Sequence, residues 1–194
     1  MLPMGEKDFP GNVQARSRSD AIGLPPGTDL RPIPSKLHSV YDGRTFTRCS
    51  VCRLSLDATT LYEIQKVFRG PRVVFEMALC QHCGERLCDS FSSSSIDSLK
   101  GYLLSHFHPH DRIDVCHFCE DPLVFAGHAY TLIGAAKGEG LLLPPIVLCQ
   151  DCGCSLQERL SPETRAAQDA FVRAHFACLP DDFGSNPTFG GVFS

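Results

Sequence analysis

Tryptophan is absent from the 194 residues, and methionine and tyrosine occur only three and four times, although the 43% hydrophobic content is ordinary for a folded protein. No apolar run approaches the roughly 20 residues needed to cross a bilayer. The N-terminal MLPMGEKDFP has neither the basic flank nor the apolar stretch of a signal peptide. A cytoplasmic protein with no membrane partner is the resulting expectation. A basic excess is lacking too: the formal net charge is -4. Counted as Lys and Arg against Asp and Glu, residues 1–44 carry six against five, residues 45–110 seven against six, and residues 111–194 five against eleven. A chain that holds nucleic acid by charge usually shows a basic surplus, because phosphate neutralisation supplies most non-specific affinity. Only KVFRGPR, with Lys66, Arg69 and Arg72, is locally basic.

What the chain does have is turn-forming residues and cysteine. Glycine and proline number 16 and 14, so much of the chain is turn or loop. The length admits one medium domain or two small ones. Of the 11 cysteines, eight form four CxxC pairs: Cys49/Cys52, Cys80/Cys83, Cys116/Cys119 and Cys149/Cys152. A CxxC turn brings two sulfurs toward one point, and two such turns complete the tetrahedral four-sulfur shell of a closed structural zinc site. The expected ligands are therefore Cys49, Cys52, Cys80 and Cys83 for one Zn²⁺, and Cys116, Cys119, Cys149 and Cys152 for a second. Iron in place of zinc, and pairing swapped between the sets, are alternatives that spacing leaves open. A disulfide framework fits poorly without a secretory signal. A redox CxxC normally occurs once, in a βαβ setting that this chain lacks.

The two cysteine sets belong to a longer repeat. At an offset of 69 residues, LCQHCGERLCDSFSSSSIDSLKGYLLSHF aligns without gaps with LCQDCGCSLQERLSPETRAAQDAFVRAHF. Leu79/Leu148, Gln81/Gln150, Gly84/Gly153, Leu87/Leu156, Ser92/Ser161, His106/His175 and Phe107/Phe176 are identical, besides two cysteines. Two copies of one metal-binding unit are implied.

Local signals place these motifs on elements. TLYEIQKVF, the turn RGPR and VVFEMALC predict a β-hairpin. HAYTLIGAA, AKGEG and LLLPPIVLC predict another, with Pro144 and Pro145 making its return strand irregular or an edge. Ser161-Pro162-Glu163 is a helix start with a capping hydroxyl, proline in the first turn and acid beside it, predicting a helix to about Ala177. SSSS precedes IDSLKGYLLSHF, predicting a capped helix with Ile96, Leu99 and Leu103 on one face. The matched His106 and His175 then stand at equivalent helix ends.

The fold class expected is α+β: two repeated small zinc-binding modules, each running knuckle, β-hairpin, knuckle, helix. The organisation predicted is an extended Pro-rich N-terminal arm over 1–44, a first module over 45–110, a second over 111–179, and an aromatic and Gly-rich tail over 180–194. The tail carries Phe183, Phe189 and Phe193. The short connector and the apolar helix faces, with Phe171 and Phe176 in the second, argue that the modules stack on each other or pair across a homodimer.

A knuckle, a hairpin and a second CxxC leading into a helix resembles the treble-clef zinc finger, with the zinc ribbon as close alternative, over roughly residues 45–178. The resemblance implies zinc binding more narrowly than it implies a role, since such scaffolds serve nucleic-acid binders, protein adaptors and a few nucleases. HNH-type endonucleases need a catalytic histidine on the hairpin. Residues 53–79 have none, and the second copy offers only His128, without a neighbouring His or Asn. No catalytic residue is therefore assigned.

The expected role is a structural zinc protein acting as a protein-interaction or adaptor module, with protein as partner. A nucleic-acid-binding zinc finger using Lys66, Arg69 and Arg72 is the alternative. Each Zn²⁺ with four thiolates adds about two negative charges, which favours the first. His106, His108 and His110 form a weaker candidate metal cluster. Cys88, Cys154 and Cys178 lack repeat counterparts and read as small buried residues or free thiols, although Cys154 could replace Cys152 as ligand.

Overall fold

The computed structural model of the chain describes residues 30–123 and 129–176. The expectations for residues 1–29, His128, Ala177, Cys178 and the 180–194 tail lie outside the described residues.

The first hairpin comprises β2 (Leu61–Arg69) and β3 (Arg72–Cys80), preceded in the chain by a short β1 (Arg31–Pro32). The second opens with β4 (Ala129–Lys137), but its return is split into β5 (Gly140–Leu141) and β6 (Ile146–Cys149). The break falls on Leu142–Pro145, where two prolines carry no N–H to donate to a ladder. Gly138, at φ +57°, makes the turn between β4 and β5, and a Cβ there would sit 2.8 Å from the Cα of Ala58.

The six strands among the described residues form one sheet in the order β1-β5-β4-β2-β3, with β6 also on β4. The two repeats join through β2 and β4, antiparallel over nine residues from Leu61↔Lys137 to Arg69↔Ala129. At its centre Ile64 pairs with Gly134 and Gln65 with Ile133. The repeat offset of 69 carries each of these pairs onto the other, so a pseudo-two-fold axis passes between them.

Among the described residues four helices follow the hairpins in matched pairs. They are α1 (Gln81–Cys88), α2 (Ser93–His106), α3 (Gln150–Glu158) and α4 (Pro162–His175). Both long helices carry hydroxyl caps: Ser161, as the sequence predicts, accepts from the N–H of Thr164, while Ser92 accepts from the N–H of Ser95, so that α2 starts inside the serine run and not after it. Two details differ. Each second CxxC already opens a helix of its own, α1 or α3, which the short polar stretches QHCGERLC and QDCGCSLQE do not announce by periodicity. The inward stripe of α2 also runs through Ser95, Leu99 and Tyr102, while Leu103 is exposed, because the surface it meets belongs to the other repeat.

Alternation along the strands divides the sheet into two covered faces. Phe75, Met77 and Leu148 point to the helices, where Phe176 meets Phe75 edge-on at 5.1 Å. Tyr62, Ile64, Lys66 and Gly134 point to the segment 30–44. Leu37 of that segment is fully buried, and a Cβ on Gly134 would lie 2.7 Å from its Cδ1.

Candidate metal centres

The sulfur atoms of Cys49, Cys52, Cys80 and Cys83 lie within 4.8 Å of one another, as do those of Cys116, Cys119, Cys149 and Cys152. Each set comes from a loop before its hairpin and from the strand-to-helix junction after it. The first loop is closed by Arg53 N–H donating to Cys49 O at 3.1 Å and by an isolated bridge Arg48↔Ser55. The second repeats this with Glu120 N–H to Cys116 O at 3.0 Å and a bridge Val115↔Pro122. Arg53 and Glu120 both adopt left-handed backbone, φ 65° and 59°, at the residue after the knuckle's second cysteine.

The donor set fits a tetrahedral ion. With metal–sulfur bonds of about 2.3 Å, a tetrahedral site has sulfur–sulfur edges of about 3.8 Å. Cys52 Sγ is 3.6 Å from Cys80 Sγ, and Cys119 Sγ is 3.7 Å from Cys149 Sγ. A disulfide would need about 2.05 Å. Backbone N–H groups are turned toward the sulfurs, as thiolates require: Cys80 N–H to Cys49 Sγ at 3.4 Å, Cys149 N–H to Cys116 Sγ at 3.4 Å, and Phe118 N–H to Cys116 Sγ at 3.4 Å.

Electrostatics give the same reading. Burial opposes ionisation of Cys49, but backbone donors from Cys80, Cys52 and Val51 outweigh it and bring the thiol down to about 7. The Cys149 thiol, acting against burial and helped by backbone donors of Cys149, Cys119 and Phe118, brings Cys116 down to about 4. Their neighbours move the other way. Burial raises Cys80 to about 11, and burial with the charge on Cys116 raises Cys152 to about 12. Burial raises Cys83 and Cys119, and the bond to Cys116 with burial raises Cys149. Each cluster thus favours one thiolate and resists the next, a repulsion that a divalent cation at the centre reverses.

The eight cysteines named from spacing are brought together in two groups, each within one repeat and not across repeats. Cys154 stays outside the second group, which uses Cys152. Among the described residues these are the only groups of three or more Cys, His, Asp or Glu placed to share an ion. The histidine candidate is not assembled. His106 closes α2 and stacks on Tyr102 at 4.3 Å, with its Nδ1 3.1 Å from Tyr102 O. His108 lies 4.0 Å from Glu120, and His110 stacks on His117 at 3.8 Å. Val147 N–H donates to His117 Nδ1, so the ring proton sits on Nε2 and is donated to His110 O at 3.0 Å. Burial lowers the His117 pKa further, making it a neutral tie between knuckle and β6.

Lys66 requires a correction. In place of a basic hairpin tip, it is 2% exposed, 3.0 Å from Glu76, and donates to His38 O. Glu76 in turn accepts from Ser39 Oγ and from Val40 N–H at 3.0 Å. The β-alternation puts Lys66 under the 30–44 segment, while Arg69 and Arg72 at the turn are exposed.

No family model, curated protein or solved structure matches the chain.

Proposed function

We propose that the chain is a structural zinc protein of treble-clef type, its two four-cysteine sites each holding one Zn²⁺ and its surface serving as a protein-interaction or adaptor module. The observation that carries the metal is the gathering of four sulfurs within 4.8 Å of one another in each repeat, with one edge of 3.6 Å in the first and 3.7 Å in the second. Four thiolates leave no coordination position for water or substrate, which favours a structural over a catalytic role. Cysteines gathered to share an ion, in place of a disulfide framework, suit a reducing compartment such as the cytoplasm.

Protein is favoured over nucleic acid as partner because Lys66, one of the three basic residues of the hairpin, is committed to Glu76 within the fold. The excess of eleven acidic over five basic residues in 111–194 adds to this. Metal analysis of freshly purified protein should return two zinc per chain. Electrophoretic mobility with DNA and RNA across a salt series should show no tight binding. Steeply salt-dependent affinity that falls when Arg69 and Arg72 are replaced would transfer the role to nucleic acid.

A further inference from the structure

Each repeat ends in a helix that packs on the other repeat's metal site. Leu99, Tyr102 and Phe107, from the first repeat, lie in one apolar cluster with Cys116, Phe118, Cys152 and Leu156 of the second. Tyr102 is 8% exposed, stacks 5.7 Å from Phe118, and carries Arg159 of the second repeat 4.7 Å over its ring. In the opposite direction α4 packs on α1. Its Phe171, Val172 and Phe176 join the cluster that contains Cys49, Cys80, Cys83 and Leu87. Tyr102 and Phe171 are equivalent positions of the repeat, as are Phe107 and Phe176.

The helices cross at their first turns, and the crossing is reciprocal. Ser92 N–H donates to Thr164 Oγ1 and Ser161 N–H to Ser95 Oγ, both at 2.9 Å. The two cap hydroxyls meet at 3.0 Å. Ser95 and Thr164 are buried, at 1% and 0% exposure. A helix released from one site therefore takes with it the hydroxyl acceptor that holds the start of the other. The β2–β4 ladder ties the same two units on the sheet side.

The geometry points to a single cooperative metal-binding device: filling either four-cysteine site raises the affinity of the other, because each site's helix cover is supplied from across the pseudo-two-fold axis. This rests on the zinc reading above. α1 carries Cys83 and leads within four residues into α2, so ordering the first site positions Tyr102 against the second. Ordering the second places α3, and hence α4, against α1. Reciprocity of this kind is what linkage between two binding sites requires.

Native mass spectrometry of the full chain, stripped of metal and titrated with zinc, reads the coupling directly. At one equivalent, independent equal sites leave about half the molecules with one zinc, and a tenfold coupling lowers that to about a quarter. We expect about a quarter or less, the remainder being metal-free and two-zinc protein. A one-zinc species at half or above overturns the coupling while leaving two bound zinc ions, and hence the zinc reading, intact. Failure to bind any zinc removes both.

A second arm leaves all eight thiols in place. Tyr102→Ala, in the first repeat, should make Cys116, Cys119, Cys149 and Cys152 the first to be alkylated under chelator, at least about tenfold faster than in the parent chain. Leu104→Ala, on the exposed side of the same helix, should change nothing. Unchanged alkylation in Tyr102→Ala, or alkylation first at Cys49, Cys52, Cys80 and Cys83, overturns the proposal.

Discussion

The two repeats share a metal-site geometry and differ in nearly everything around it. In the first, three of the four cysteines are buried; in the second, only Cys116 and Cys152 are. The first hairpin keeps nine residues on each strand, with one register shift after Val67, while the second has its return strand split at Pro144 and Pro145. The first is locked to the 30–44 segment by Lys66 and Glu76, and the repeat-equivalent positions in the second are Ala135 and Pro145. The knuckles carry opposite charge: Arg48 and Arg53 in one, Asp114, Glu120 and Asp121 in the other. Four sulfurs at fixed spacing tolerate divergence elsewhere, because metal bonds replace the packing that so small a unit otherwise needs.

The largest effect should come from removing what the repeats have in common. Structural zinc contributes on the order of 10 kcal/mol to folding in small modules, so chelation should collapse the near-ultraviolet signal and the slow-exchanging amides of β2 and β4 together. Retention of the β2–β4 ladder in metal-free protein would show that the sheet stands without its sites.

Next in size is the ion pair that only the first repeat has. Lys66→Met leaves the Glu76 carboxylate, its side chain 8% exposed, without its cation, a defect of up to about 3–5 kcal/mol, to be measured by denaturant unfolding of the zinc-loaded chain. Lys66→Met combined with Glu76→Leu should recover most of that loss. If the double variant is no better than the single one, the pair matters for more than charge balance.

The cap hydroxyls test how equal the repeats remain. Ser92→Ala and Ser161→Ala should each cost about 1 kcal/mol, by similar amounts. Because each hydroxyl also contacts the other, the double variant should lose less than the sum. Strict additivity in thermal unfolding would mean that the helix crossing contributes little.

The smallest effect belongs to the knuckles. Glycine at Arg53 or Glu120 relieves a left-handed backbone but adds unfolded-state freedom, so each change should shift stability by no more than about 1 kcal/mol, upward or near zero. A clear loss at Glu120 alone, in the same unfolding assay, would show that its approach to His108 at 4.0 Å breaks the equivalence.

The chemistry of this protein is written locally. CxxC spacing, the offset of 69 and the hydroxyl caps at Ser92 and Ser161 are short-range features, and each requires only a few consecutive residues to take its geometry. From them the eight clustered sulfurs and both long helices follow, and the β-branched stretches on either side of RGPR and AKGEG add the hairpins. The short helices α1 and α3 were hidden because a metal-anchored turn needs no amphipathic stripe. The burial of Lys66 was hidden because its partner Glu76 becomes a neighbour only after the hairpin closes, and its cover arrives from residues 38–40. Which repeat's helix would sit on which metal site was equally beyond local pattern. A short linker from α1 to α2 allows either direction. The choice is made by burial of Tyr102 and Val172, with Phe171 partly covered, against surfaces that exist only once β2 has paired with β4.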